Sequence, residues 1–123
     1  MPKNKKAFGR WGEEIAARFL LERGMTILER NFRAERGEMD LIAQDGNVVV
    51  FVEVKTGDSH RFGLPEERIT RSKQRQLYKI AQAYIQLHPR DDVDYRFDVV
   101  IVDGNPRDYR IRYYPNAFYL WST

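Results

Sequence analysis

The run Val48-Val49-Val50-Phe51-Val52-Glu53-Val54-Lys55 constrains this chain more than any other segment. It is short, rich in β-branched residues and almost unbroken, and Asp45-Gly46-Asn47 bounds it on one side. Such a run reads as a strand buried on both faces, hence the middle of a sheet. Two charges are set into it. Side chains alternate along a strand, so Glu53 and Lys55 point to one face beside Phe51. A buried charge without partners costs on the order of several kcal/mol, so this pair needs a reason to be there.

The reason is sought one strand upstream. Glu38 to Gln44 reads as a strand carrying Asp40, and the Asp-Gly-Asn sequence after it has strong hairpin chemistry. An antiparallel hairpin closed there places Asp40 opposite Glu53 or Val52. Two carboxylates on neighbouring strands, one followed two residues later by a lysine, form a cage of hard oxygen donors. That is the donor type Mg²⁺ favours when it also binds a phosphate. The alternative is a cross-strand ion-pair network, which would contribute only about 0.2–1 kcal/mol.

The rest of the chain supplies a frame for this hairpin. Gly9 to Gly24 carries an apolar stripe at helical spacing (Trp11 or Gly12, then Ile15 and Phe19, with Ala16 and Leu20 widening it), and Gly24 is a natural stop. Met25 to Phe32 has β character. Thr56 to Pro65 reads as a polar loop. Glu66 to His88 reads as a second helix with Ile69, Leu77, Ile80, Ala81 and Tyr84 on its inner stripe, ended by Pro89. Tyr95 to Asp103 and Tyr109 to Tyr114 are the last two strands, and the aromatic tail from Pro115 is expected to fold back on the sheet. The order is αβββαββ. With 123 residues, this is one α/β domain, a mixed central sheet flanked by helices. Residues 1–8 are expected to form a flexible basic extension.

Charge is unevenly spread. Residues 1–10 carry four basic groups and no acid, whereas residues 11–60 carry ten acids against six bases. Residues 61–79 carry Arg61, Arg68, Arg71, Lys73, Arg75 and Lys79 against two glutamates. An acidic centre between basic segments suits a metal site flanked by phosphate-binding surface. Those six cations are therefore the candidate nucleic-acid contacts.

Other chemistries lack their residues. There is no cysteine for disulfides or thiolate metal ligands, and His60 and His88 are isolated in sequence. No phosphate-binding glycine loop and no G-x-S-x-G element is present. The basic start is not followed by an apolar signal core, and no run approaches the roughly 20 apolar residues that span a bilayer. A cytoplasmic protein without membrane contact is expected.

Asp40 followed by Glu53-Val54-Lys55 resembles the D…ExK core of the PD-(D/E)XK nuclease superfamily. The likeness extends to Gly9-x-x-Gly12-Glu13, Asn31-Phe32-Arg33, Gly37-Glu38-Met39-Asp40-Leu41-Ile42-Ala43, Gly63-x-Pro65, Lys73 and Arg96-Phe97-Asp98-Val99. That series looks like the YraN family of small, uncharacterised bacterial proteins, which is similar to archaeal Holliday junction resolvases. The resemblance implies a restriction-endonuclease-like fold. It also implies an active site of Glu13, Asp40, Glu53 and Lys55, with Asp40, Glu53 and Glu13 on a Mg²⁺ or Mn²⁺ ion. The helix itself favours Glu13 over Glu14, because Glu14 has Arg10 and Arg18 one turn away on either side while Glu13 borders the apolar stripe without a local cation. Two positions depart from the pattern: Met39 stands where the superfamily name has Pro, and Gly57 stands where related sequences often carry Arg. Arg61 in the following loop is the candidate to supply that phosphate contact.

The expected function is metal-dependent endonucleolytic cleavage of DNA, with branched or recombination intermediates as substrates and a homodimer suggested by the paired cuts of resolvases. Two other readings stay open on sequence alone. One is a nucleic-acid-binding or DNA-processing accessory protein that keeps the scaffold without cutting. The other is a protein-interaction module whose charged cluster is purely structural.

Overall fold

Each face of a central five-stranded sheet carries its own apolar cluster, and one long helix closes each cluster. The structure is a computed structural model that describes residues 4–118. Its elements are α1 (Lys5–Glu22), β1 (Thr26–Ala34), β2 (Gly37–Asp45), β3 (Val48–Gly57), α2 (Ser59–Phe62), a 3₁₀ turn (Pro65–Arg68), α3 (Arg71–Leu87), β4 (Asp94–Asn105) and β5 (Asp108–Tyr114). Strand order follows chain order. β1, β2 and β3 form an antiparallel meander; β3 and β4 are parallel, joined across α3; β5 returns antiparallel. This is the mixed αβββαββ layout of the restriction-endonuclease-like fold.

The Val48–Lys55 run is the central strand, and its residues from Val49 to Val54 are all buried. Val50, Val52 and Val54 meet Ile15, Ala16 and Leu20 of α1. On the other face Phe51, Phe97 and Ile42 meet Leu77, Ile80 and Tyr84 of α3. Each such aliphatic or aromatic side chain contributes roughly 1.5–3 kcal/mol when fully buried, so the double-sided strand anchors the domain. Asp98 lies fully buried on β4 and is fully satisfied. It accepts from Arg96 Nε at 3.0 Å, from the Tyr113 hydroxyl at 2.5 Å and from the Asn116 amide at 2.8 Å.

Three boundaries differ from the sequence expectation. Helix α1 begins at Lys5, because the Asn4 side chain accepts the Ala7 amide at 2.8 Å and caps it. The stretch read as a flexible extension is therefore helical from residue 5 onward. The second helix does not run from Glu66. Pro65 opens a 3₁₀ turn, Ile69 leaves helical geometry, and α3 starts afresh behind Thr70, whose hydroxyl accepts the Lys73 amide at 3.1 Å. The expected loop after β3 is partly ordered, since β3 continues to Gly57 and the one-turn helix α2 follows, capped by Asp58. The tail does fold back: the Ala117 amide donates to Phe97 O at 2.7 Å, and Phe118 stacks on Phe97 at 5.0 Å. Residues 119–123 of that tail lie outside the described residues. Among the described residues no helix is long and apolar enough to cross a membrane.

Candidate active site

The β2–β3 register, Ile42 against Phe51 and Leu41 against Val52, leads toward a fork. Beyond Leu41 a side chain takes over from the backbone: Asp40 Oδ2 accepts the Val54 amide at 2.8 Å. Met39 and Leu41, which strict alternation would put on one face, belong to opposite apolar clusters, so β2 is kinked at Asp40. The neighbouring strand is also irregular there. Asn31, between the pairs Arg30–Leu41 and Phe32–Met39, has a left-handed φ of 53°. That backbone aims the Asn31 amide outward, and Nδ2 donates to Glu13 Oε1 and to Glu38 Oε1, both at 2.9 Å.

Glu13 arrives from α1 because the helix lies close against β3. Gly12 faces Thr56 so tightly that a Cβ there would come within 2.0 Å of Thr56 Oγ1. Glu13, Glu38 and Asp40 each offer a carboxylate oxygen, and these oxygens all lie within 4.8 Å of one another. Glu14, one residue on, pairs with Arg18 at 3.7 Å and Arg30 at 2.9 Å, away from the group.

Glu53 is next to this trio. It is only 2% exposed, and Lys55 and Lys73 Nζ each lie 3.5 Å from its Oε2. Lys55 comes from its own strand and Lys73 from the first turn of α3, where the Thr70 cap sets its direction. The buried Glu53 carboxylate thus has the paired cations that burial demands.

Electrostatics mark the floor of the site. Burial pushes the Asp40 carboxyl well above its ordinary range; the Glu53 charge and a hydrogen bond between the two carboxyls push the same way, against the Val54 amide. Burial also raises Glu13, only partly offset by the Asn31 hydrogen bond, and the Glu38 and Glu53 charges add to the rise. Crowded oxygen donors in a desolvated place, with charges that disfavour one another, are suited to a hard divalent cation.

All four expected active-site residues, Glu13, Asp40, Glu53 and Lys55, line one cavity of about 1140 Å³, together with Arg61, Arg68 and Lys73. Arg75 and Lys79 instead line a shallower hollow of about 630 Å³, and Arg68 and Lys73 border both. Arg71 lines neither. Two site residues were underweighted by sequence reasoning. Glu38 entered only as a member of the strand motif, yet it is one of the three converging carboxylates. Asn31 had no assigned role, yet it bridges two of them. Its place in a run shared with the family pattern was the available signal.

The profile described as "Uncharacterised protein family UPF0102" matches residues 12–102. A UPF0102 protein of Caldicellulosiruptor saccharolyticus is 49% identical over 105 residues, covering 85% of this chain and 89% of the relative. One from Chloroherpeton thalassium is 49% identical over 104 residues (83% and 81%), and one from Syntrophotalea carbinolica is 39% identical over 118 residues, 96% of both chains. The chain belongs to the UPF0102 family. This is the YraN family to which its motifs pointed. Glu13, Asn31, Glu38, Asp40, Glu53, Lys55, Arg61, Arg68 and Lys73 all fall inside the matched span, so the UPF0102 match takes in the whole acidic floor and its cationic wall.

Proposed function

We propose that this UPF0102 protein is a divalent-metal-dependent endonuclease that hydrolyses phosphodiesters in DNA, with branched DNA as the first substrate to test. One observation carries the reading. A single cavity joins a carboxylate floor (Glu13, Glu38, Asp40, Glu53) to a cationic wall (Lys55, Arg61, Arg68, Lys73). Neither half alone is informative, since acidic clusters and basic surfaces are both common. Together they match what a phosphodiester needs, which is oxygen donors for a cation and cations for the phosphate.

The residues present fit Mg²⁺ or Mn²⁺, as every donor is a hard oxygen. Glu13, Glu38 and Asp40 would hold the ion, with Glu53 adjoining. Bound there, it supplies Lewis acidity toward a phosphoryl oxygen and lowers the pKa of a bound water. The chain's own groups do the rest. Arg61 and Arg68 take hold of the phosphate backbone, and the hollow shared by Arg68 and Lys73 carries it on toward Arg75 and Lys79. Lys55, held beside Glu53, stabilises negative charge on the phosphoryl oxygens as water bonds to phosphorus and the bond to one sugar oxygen breaks. The attacking water gives up one proton and the leaving sugar oxygen takes one up, so the hydrolysis balances.

The test is cleavage of four-way-junction and flap DNA by wild type and by Glu53→Ala, each with Mn²⁺ or with EDTA. Wild type should cut only with Mn²⁺, and Glu53→Ala should not cut. Equal cutting by both proteins would overturn the assignment. DNA binding that survives Asp40→Ala and Glu53→Ala, with no cutting by wild type, would replace it with a binding role.

A further inference from the structure

Phe62 is the most exposed large apolar side chain among the described residues, at 79%, and Leu64 beside it is 50% exposed. Single exposed apolar residues are ordinary. This one is not placed ordinarily, because both side chains line the cavity that holds the acidic floor. The Arg61 guanidinium lies 5.3 Å from the Phe62 ring centroid, which covers one face of the ring with a cation. Gly63 follows with a φ of 84°, turning the chain away directly behind the ring.

The mount is rigid. The Ser59 amide donates to Asp103 Oδ1 at 2.8 Å, and Arg112 grips Glu66 with two hydrogen bonds of 2.6 and 2.7 Å. Arg68 Nη2 also donates to Thr56 O at 2.5 Å. The segment from 59 to 68 is thus tied at both ends to the sheet, and Phe62 stands out from its middle.

We propose that Phe62 is a stacking platform for one unpaired base, so that the cavity takes DNA with a splayed strand, at a fork or flap, in preference to fully paired duplex. The inference rests on the nuclease reading and deepens it. Every base has an apolar face that stacks on an aromatic ring, whereas paired bases in a continuous duplex offer that face only to each other. The cations decide between nucleic acid and a protein partner. Arg61, Arg68, Lys55 and Lys73 line the same cavity, which suits a phosphate backbone running past the ring.

The test is binding in EDTA, which suppresses cutting. Fluorescence anisotropy would compare a forked DNA with a duplex of equal length and charge, for wild type, Phe62→Ala and Phe62→Trp. A 2-aminopurine at the unpaired position would report stacking. Wild type should prefer the fork by about tenfold, the size of one base–aromatic stack. Phe62→Ala should lose that preference and the 2-aminopurine quench while its duplex affinity stays unchanged, and Phe62→Trp should restore both. Since Phe62 is exposed, its removal leaves the fold intact. Fork binding by Phe62→Ala equal to wild type would overturn the platform and leave the nuclease reading standing. A change in self-association with no change in DNA binding would overturn it in favour of a protein contact. Failure of wild type to bind either DNA would overturn the platform, and cleavage with Mn²⁺ would then decide the nuclease reading separately.

Discussion

Gly12 on α1 and Thr56 on β3 approach so closely that a methyl group on Gly12 would sit 2.0 Å from Thr56 Oγ1 and 2.9 Å from its Cγ2. The contact sets the distance of α1 from the sheet, and Glu13 is the next residue. Gly12→Ala is expected to destabilise the fold by about 1–3 kcal/mol, as overpacking does. That loss would appear despite a helix-propensity gain of about 1 kcal/mol. Thr56 is β-branched and cannot swing aside freely. Thr56→Ala added to Gly12→Ala should recover much of the loss. Urea denaturation of both variants decides it, and a stabilised Gly12→Ala would show that the contact does not limit the helix.

Asp40 should give the domain a distinctive pH dependence. Burial and then the Glu53 charge raise its pKa well above the ordinary 3.8. The native chain therefore retains a proton that the unfolded chain has released. Its contribution to stability is full below the unfolded pKa and is lost as pH rises through the folded one. Asp40→Asn fixes the neutral form and still offers an oxygen to the Val54 amide. It should match wild type in acid, below the ordinary carboxylate range, and exceed it increasingly as pH rises toward the folded value, at about 4 °C in Tm per kcal/mol for a domain of this size. Under the proposed function the same variant should not cut. A lower Tm than wild type at alkaline pH would sink this account of Asp40.

Legibility in the sequence followed the scale of the physics. The central strand could be read because Val48 to Val54 leaves few options, and its turn Asp45-Gly46-Asn47 set the register against Leu41 and Ile42. Glu53 and Lys55 followed from alternation. Asp98 is legible on the same physics, because a charge between Phe97 and Val99 needs partners, and Arg96, Tyr113 and the Asn116 amide supply them. Glu38 was harder, because alternation says where a side chain points only while the strand is regular, and β2 kinks at Asp40. Asn31 was harder still, since its left-handed φ has no periodic signature. The break at Thr70 was missed because the apolar spacing of Ile69 and Leu77 suits one helix equally well, and the cap competes with that pattern only locally. Lys73 could be read as a phosphate-facing cation of the second helix but not as a partner of Glu53, a contact that depends on how helix and sheet dock.

Glu53 should prove doubly insured. Among the described residues, Lys55 and Lys73 are the cations within ion-pair distance of it, both at 3.5 Å from one oxygen. Removing one leaves the other, so Lys55→Met or Lys73→Met alone should cost about 1 kcal/mol. The double variant strands a buried carboxylate and should cost about 3–5 kcal/mol. The excess over the sum of the singles is the coupling a double-mutant cycle reads. Strict additivity in chemical denaturation would mean that Glu53 is solvated enough to need neither lysine.

The strap that carries Phe62 should be acid-sensitive through Glu66. Two hydrogen bonds from Arg112, helped by the Tyr114 hydroxyl at 2.7 Å, hold the Glu66 carboxylate down to about 2 from its ordinary 4.5. A lowered pKa places the sign opposite to that of Asp40: the stability is present above the unfolded value and is lost as pH falls from about 4.5 toward 2. Glu66→Gln should therefore cost about 2 kcal/mol at neutral pH, the linkage figure discounted for a partly exposed pair. The penalty should shrink steadily across that acid window, because wild type loses there what the variant never had. Amide exchange at Ser59 and neighbouring residues should accelerate in the variant at neutral pH, since Arg112 also holds Asp103, the acceptor of the Ser59 amide. A penalty independent of pH would show that Glu66 acts by shape and not by charge, and unchanged exchange at Ser59 would show that the strap does not depend on it.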